Sequence, residues 1–432
     1  MHQKHVIVLA ILMAVSVPII AQQPSAQPDP GAVGVTVGRS WSLSVPFTGM
    51  VAQLPDRRAF CGAATDLAAL FGRLHRKDHF SGNVLVAERG RVIFERSFGL
   101  ADDATQRPLD ARSVFPVASI TKPICALAVL QMRHEGLLAL DAPARTYLPE
   151  FPYPTVTLRH LLTHTSGLVR LSDLMDEHWD AARVADDAAV LAILTRAKPA
   201  LHSTPGQRFE YENLNYVVLG QVVGRVAGMS FSRALKQRIF EPLVMTATAV
   251  DTTRWTEGRR LDRAAEGYVR DPRTKTWVLP ESLEDWGFLR TLGGIAGDGG
   301  VVSTARDLLI LDRALRDHAL VSEATWNEAI SPTCNENDTE IWNTSWVKSS
   351  YGLGWYIGED LATTWHNGDW GGHQAGLRRY LDSGKTGIYL SNRRRLVLAR
   401  RTGRHHATTR ASPVESQKQA RRRQPRNLLA GP

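Results

Sequence analysis

Cysteine is scarce in this chain: there are three, at positions 61, 125 and 334, among 432 residues. Their wide separation removes the short Cys spacings of structural zinc and iron–sulfur sites, and no metal is expected. His160 and His164 stand four apart, but no Glu follows the first as in the zinc-binding helix pattern, so both are expected to pack or hydrogen-bond. Gly-x-Ser-x-Gly does not occur, which argues against the nucleophile elbow of an α/β-hydrolase. After residue 20 no apolar run is long enough to cross a bilayer. Excess charge is also missing from most of the chain. Residues 393–432 hold eleven Arg and one Lys against one Glu, so the formal net charge of +9 belongs to that tail and the rest is slightly acidic. Nucleic-acid binding by the body of the protein is therefore not expected.

What is present begins with basic residues in Met1–His5 and a 15-residue apolar run, Val6–Ile20, followed by Ala21. This pattern reads as a secretory signal peptide over 1–21, with no membrane span left after its removal and a periplasmic or secreted destination. Residues 22–58, rich in Pro, Gly, Ser and Gln, read as a linker or loosely ordered arm. A folded domain is expected over 59–392 and a basic, disordered tail over 393–432. In an exported protein a Cys61–Cys334 disulfide stays open, while Cys125 reads as a small core residue.

Within the domain, the spacing of Leu67, Leu70, Phe71 and Leu74 predicts an amphipathic helix over Ala63–Arg76. Residues 83–88 and 91–96 around Arg89-Gly90 predict a hairpin. From 168 to about 340 the periodicity is mainly helical. Strand patterns return at 351–357, 375–381 and 386–392. The expected fold class is α+β: one antiparallel sheet built from both chain ends and flanked by helices, plus a helical lobe, with the active site where lobe and sheet meet.

The organising stretch is Val117-Ala118-Ser119-Ile120-Thr121-Lys122-Pro123 and the apolar run Ile124–Leu130. Positions three apart share a helix face, so the Ser119 hydroxyl and the Lys122 amine can meet. Pro123 fits only in the first turn. That places Ser119 near the positive end of the helix dipole, and a lysine among apolar neighbours can lose its proton near neutral pH and act as a base. Ser-x-x-Lys alone arises about once by chance in a chain this long. A second copy, Ser345-x-x-Lys348, has no helical run after it and reads as accidental.

Two further pieces support the first. Tyr211-x-Asn213 precedes the helical run 217–226 and offers a phenol and an amide; beside a lysine ammonium that phenol is expected to have a lowered pKa and to relay a proton. Trp365-His366-Asn367-Gly368-Asp369 lies in a glycine-dense edge of the late sheet, where a backbone N–H can pair with that of Ser119 as an oxyanion hole.

Taken together, Ser119-x-x-Lys122, Tyr211-x-Asn213 and His366-x-Gly368 resemble the three motifs of the β-lactamase-related serine hydrolases: class C β-lactamases, D,D-peptidases, D-aminopeptidases and their esterase relatives. Residues 161–168, 239–243 and 299–304 also read like segments of that family, and the likeness runs from about Phe80 to Asn392. The resemblance implies an exported enzyme that forms an acyl-enzyme on Ser119 from an amide or ester, without metal or cofactor. It implies that Lys122 and Tyr211 manage the proton and that Tyr211 later activates water. The N–H groups of Ser119 and Asp369 would hold the oxyanion, Asn213 would orient the substrate, and His366 would hold its polar end. The expected partner is a small-molecule or peptide substrate, with oligomeric state open. Alternatives are a true serine β-lactamase and a non-catalytic penicillin-binding-type module. Three departures stand out. His366 replaces the usual Lys, which favours peptidase or esterase over β-lactamase. Asp369 occupies a position where a small residue is usual. The family's C-terminal helix is not visible in the Arg-rich tail.

Overall fold

The computed structural model describes residues 57–334, 342–343 and 349–394. The expected signal peptide, nearly all of the arm, most of the tail and Ser345-x-x-Lys348 lie outside them. The first helix, α1 (Arg57–Arg76), starts earlier than its apolar pattern suggested. It is followed by β1 (Gly82–Glu88) and β2 (Arg91–Phe98), the expected hairpin. A helical region follows, comprising α2 (Thr121–His134), α3 (Leu158–Leu162), α4 (Leu171–His178), α5 (Asp187–Ala197), α6 (Asn213–Ala227) and, later, α7 (Ala305–Arg316). The chain then returns to the sheet as β3 (Trp342–Asn343), β4 (Ser349–Tyr351), β5 (Tyr356–Gly358), β6 (Thr363–Trp370), β7 (His373–Tyr380) and β8 (Lys385–Ser391).

The spatial order is β3-β4-β5-β6-β7-β8-β1-β2, antiparallel throughout. β8 from the end of the chain lies beside β1 from its beginning, with Leu85 opposite Ile388. One face of this end of the sheet is covered by α1, whose Leu67, Leu70 and Phe71 pack on Val84, Val86, Phe94 and Tyr389. The larger core lies on the opposite face. Here α2 is buried on nearly every side, from Thr121 to Leu130 and at Met132, as its unbroken apolar composition requires. It packs against α6 in the helical lobe.

The structure departs from the sequence reading in three places. The span 351–357 is two strands rather than one. The chain turns between them at Gly354, whose φ of 91° suits glycine and whose added Cβ would lie 2.7 Å from the Ala126 side chain. The middle region is not wholly helical, since 115–116, 249–250 and 301–303 form a small sheet and 268–270 pairs with 277–278. Finally, Arg393–Arg394, read as the start of a disordered tail, forms a short parallel strand on Tyr268–Val269. Arg393 also pairs with Asp78 and Asp103. Cys334 is a free, exposed thiol, and Cys125 is a free, buried one.

A buried ion pair ties α7 to the sheet. Arg379 Nε lies 2.6 Å from Asp312 Oδ1, with both side chains sequestered from solvent. The other oxygen, Asp312 Oδ2, accepts from Thr386 Oγ1 at 2.8 Å. Removing one partner strands the other charge in the core. Asp312→Ala is expected to lower unfolding free energy by about 3–5 kcal/mol in urea titrations. A loss under about 1 kcal/mol would show that the pair does not anchor this face.

Candidate active site

Ser119 sits in a single turn of 3₁₀ helix, Ala118–Ile120, that leads directly into α2. The turn is clamped from outside. Val117 N donates to Val301 O at 2.9 Å, and Val301 N donates to Thr121 Oγ1 at 3.0 Å. Ala118, immediately before the serine, has φ of 47°, a left-handed conformation that costs an alanine about 1–2 kcal/mol. The clamp holds this bend and presents the serine at the wall of a pocket of about 150 Å³ that Asn213, Asp298, Asp369 and Trp370 also line.

Lys122 occupies the next turn, fully buried. Its Nζ lies 3.0 Å from Ser119 Oγ and donates to the backbone carbonyl of Asp298 at 2.8 Å. Burial brings the ammonium pKa down to about 8, and the Asp298 and Glu212 carboxylates nearby keep it from falling further. Nζ also stands 5.2 Å from the centre of the Tyr211 ring and 5.8 Å from that of Tyr216.

Tyr211 contradicts one expectation. Burial pushes its phenol well above the ordinary tyrosine range, and the Ser119 hydroxyl opposes this only in part. The Asp298 and Glu212 carboxylates nearby raise it further, so Tyr211 is a neutral O–H donor at rest. That hydroxyl is buried beside the Ser119 hydroxyl without a well-formed hydrogen bond, and Asn213 Oδ1 is buried with no partner. Two unsatisfied polar atoms of adjacent motif residues near one nucleophile are expensive unless a ligand satisfies them.

His164 explains how Tyr211 is held. It takes φ of 56°, and its Nδ1 accepts from Glu212 N at 3.1 Å. Its ring lies 4.3 Å from that of Tyr211. Glu212, with its carboxyl raised to about 7 by burial, caps α6 and accepts from Leu171 N at 2.8 Å. His160 caps α3 through Thr157, so both histidines of the 160/164 pair hydrogen-bond within the fold, as the lack of an intervening Glu suggested. No group of three or more His, Cys, Asp or Glu able to hold a metal occurs among the described residues.

The third motif lies on β6, which passes across the serine turn. An added Cβ at Gly368 would lie 2.1 Å from Val117 O and 3.1 Å from Ala118 Cβ. Only glycine lets the strand come this close. β5 pairs with β6 only at Thr364 and Trp365, so residues 366–370 have no strand partner on that edge among the described residues.

His366 does not stand where a substrate-gripping residue would. It is 1% exposed and does not line the pocket. Its Nε2 lies 3.1 Å from Tyr351 Oη and its Nδ1 2.8 Å from Asn367 O, so both nitrogens are used. Burial and the Lys122 charge bring its pKa down to about 3, which makes it a neutral ring bracing Tyr351. The Asp369 carboxylate, at a position where a small residue is usual, pairs with Arg394 Nε at 2.8 Å. Sequence reasoning missed Arg394, the Asp298 carbonyl and Glu212. Of these only Glu212 gave a signal, as an acidic residue just before the apolar run of α6.

Residues 49–409 match the family model described as Beta-lactamase. The chain is 36% identical over 330 residues to Penicillin-binding protein 4* of Bacillus subtilis, covering 76% of this chain and 71% of that protein. It is 38% identical over 215 residues to Esterase EstB of Burkholderia gladioli, covering 45% and 55%. A penicillin-binding protein structure from Bacillus halodurans superposes with a TM-score of 0.64 at 25% identity, covering 74% of this chain and 94% of that one. The octameric penicillin-binding protein homologue from Pyrococcus abyssi, also at 0.64 but 22% identical over 76% and 73% of the two chains, shares the fold. On this basis the chain belongs to the β-lactamase family and is a serine hydrolase of the β-lactamase-related type.

Proposed function

We propose that the protein hydrolyses an ester or amide through an acyl-enzyme on Ser119. The observation that carries this reading is the 3.0 Å approach of a fully buried lysine, held to about 8, to a pocket-facing serine hydroxyl. Neutral Lys122 takes the Ser119 proton as Oγ attacks the carbonyl. The N–H groups of Ser119 and Asp369 receive the oxyanion. The neutral Tyr211 hydroxyl delivers a proton to the leaving group and recovers one from Lys122. Asn213 meets the substrate amide or ester. In the second half the same relay runs on water, which releases the acyl group.

An ester or amide is favoured over a β-lactam because His366 is buried and neutral, leaving no cation of the third motif to grip a β-lactam carboxylate. The similarity to Esterase EstB supports the same choice. A small molecule or peptide is the substrate, acting without cofactor or nucleic acid. Export to the periplasm or medium follows from the basic start and apolar run of residues 1–21. Among the described residues no helix is long and apolar enough to cross a membrane.

Steady-state kinetics on p-nitrophenyl esters, D-amino-acid amides and nitrocefin test the choice. Turnover of the first or second at least about tenfold above nitrocefin is expected; preference for nitrocefin would assign a β-lactamase. Tyr211→Phe keeps the ring but removes the hydroxyl. It is expected to lower kcat by about 10²–10³-fold with little change in KM, the range for loss of a positioned proton donor. An unchanged kcat would remove Tyr211 from the relay.

A further inference from the structure

We propose that Arg394 is a positioning residue for the oxyanion strand: by pairing with the Asp369 carboxylate on the outer face of β6, it lets an acidic residue supply the backbone N–H beside Ser119. This rests on the acyl-enzyme reading above. Neighbouring residues of a strand point to opposite faces. The Cβ direction of Gly368 runs into Val117 O, so the Asp369 side chain leaves on the face away from the serine turn. There it meets Arg394 Nε at 2.8 Å and accepts from Gln374 Nε2 at 3.3 Å. Asp369 and Arg394 are largely shielded, with side chains 11% and 17% exposed, so their attraction is weakly screened.

Arg394 is itself fixed. Its strand pairs with Tyr268–Val269, and its guanidinium lies 5.3 Å from the centre of the Trp286 ring. Trp286 stacks on Phe288, which meets Trp370 at the pocket wall. The charged and titratable groups facing Asp369 are Arg394 and, from β8, the Tyr389 phenol, which burial keeps neutral; Gln374 is the facing residue of β7. Among the described residues no other cation is paired with the carboxylate, and without Arg394 its negative field opposes charge growing on the substrate oxygen. The arginine was invisible as a functional residue because its composition placed it in the tail.

The test compares Arg394→Met with the parent on a p-nitrophenyl ester from pH 6 to 9. With the carboxylate uncompensated, kcat of the variant is expected to fall by about 10–100-fold. Adding Asp369→Asn to Arg394→Met removes the uncompensated charge and restores most of the loss, and Arg394→Lys, which keeps the cation, holds kcat near that of the parent if Arg394→Met does not fold. A loss not restored by Asp369→Asn, or no loss at all, overturns the proposal. Fluorophosphonate labelling of Ser119 in parent and variants separates the two levels. An unlabelled parent serine refutes the acyl-enzyme reading, whereas normal labelling with a loss that Asp369→Asn does not restore refutes only the role of Arg394.

Discussion

Ser119→Ala is expected to lower kcat/KM on any ester or amide substrate by at least about 10⁴-fold, because the residues of a nucleophilic site act as a unit and the remainder cannot act without the attacking oxygen. The fold should not register the change. Ser119 lies at a pocket wall, and its turn is held by the Val117 backbone and the Thr121 hydroxyl, through bonds to Val301 that the substitution leaves in place. The melting temperature is therefore expected to stay within about 2 °C of the parent. Residual activity near that of the parent would assign the nucleophile elsewhere. A large fall in melting temperature would mean that the hydroxyl serves the fold as well.

Lys122→Met should also lower the rate steeply but, unlike Ser119→Ala, should raise stability. The variant loses the base that takes the Ser119 proton, and a fall in kcat of about 10³-fold or more is expected. The buried amine, however, costs the fold something. Its pKa is about 8 in the folded chain against about 10.4 in an unfolded one, so between those values the unfolded state binds more protons and stability rises with pH. Below about pH 8 the full penalty applies, on the order of 3 kcal/mol. Methionine fills the space without a charge, so the variant is expected to melt higher than the parent at pH 7, with the gap closing as pH rises past 8. In the parent, kcat/KM should climb with pH up to about 8, where Lys122 becomes neutral, and then level off. A variant that melts lower at pH 7 would show that the amine bonds to Ser119 and Asp298 outweigh its desolvation. A parent pH profile flat from 6 to 9 would show that Lys122 is not the titrating base.

What could be read before any coordinates was mostly what is local in the chain. Ser119 and Lys122 share one helical turn, so their meeting follows from spacing. The hairpin 82–98 and the late strands declare themselves by alternation. The return of β8 beside β1 came from the placement of strands at both chain ends. What could not be read depends on burial or on distant partners. Whether the Tyr211 phenol is lowered by an ammonium or raised by lost water depends on enclosure, and enclosure wins. Whether His366 faces a substrate or Tyr351 depends on where β4 lies. Gly352 and Gly354 hid a turn inside an aromatic, strand-like run. The Asp298 carbonyl comes from 176 residues beyond Lys122, and no side-chain pattern announces a carbonyl. Arg394 looked like one of many tail arginines, yet it and Arg393 reach carboxylates of the folded body.

The central claim is a covalent acyl group on Ser119, made by the amine of Lys122. Intact-mass spectrometry of the protein after millisecond mixing with an activated ester, followed by peptide mapping, tests it directly. The expected result is one added acyl mass located on the peptide carrying Ser119, absent in Ser119→Ala and formed at least about 10³-fold more slowly in Lys122→Met. Turnover of the ester with no adduct at any time or pH, or an adduct mapped to another residue, would contradict it.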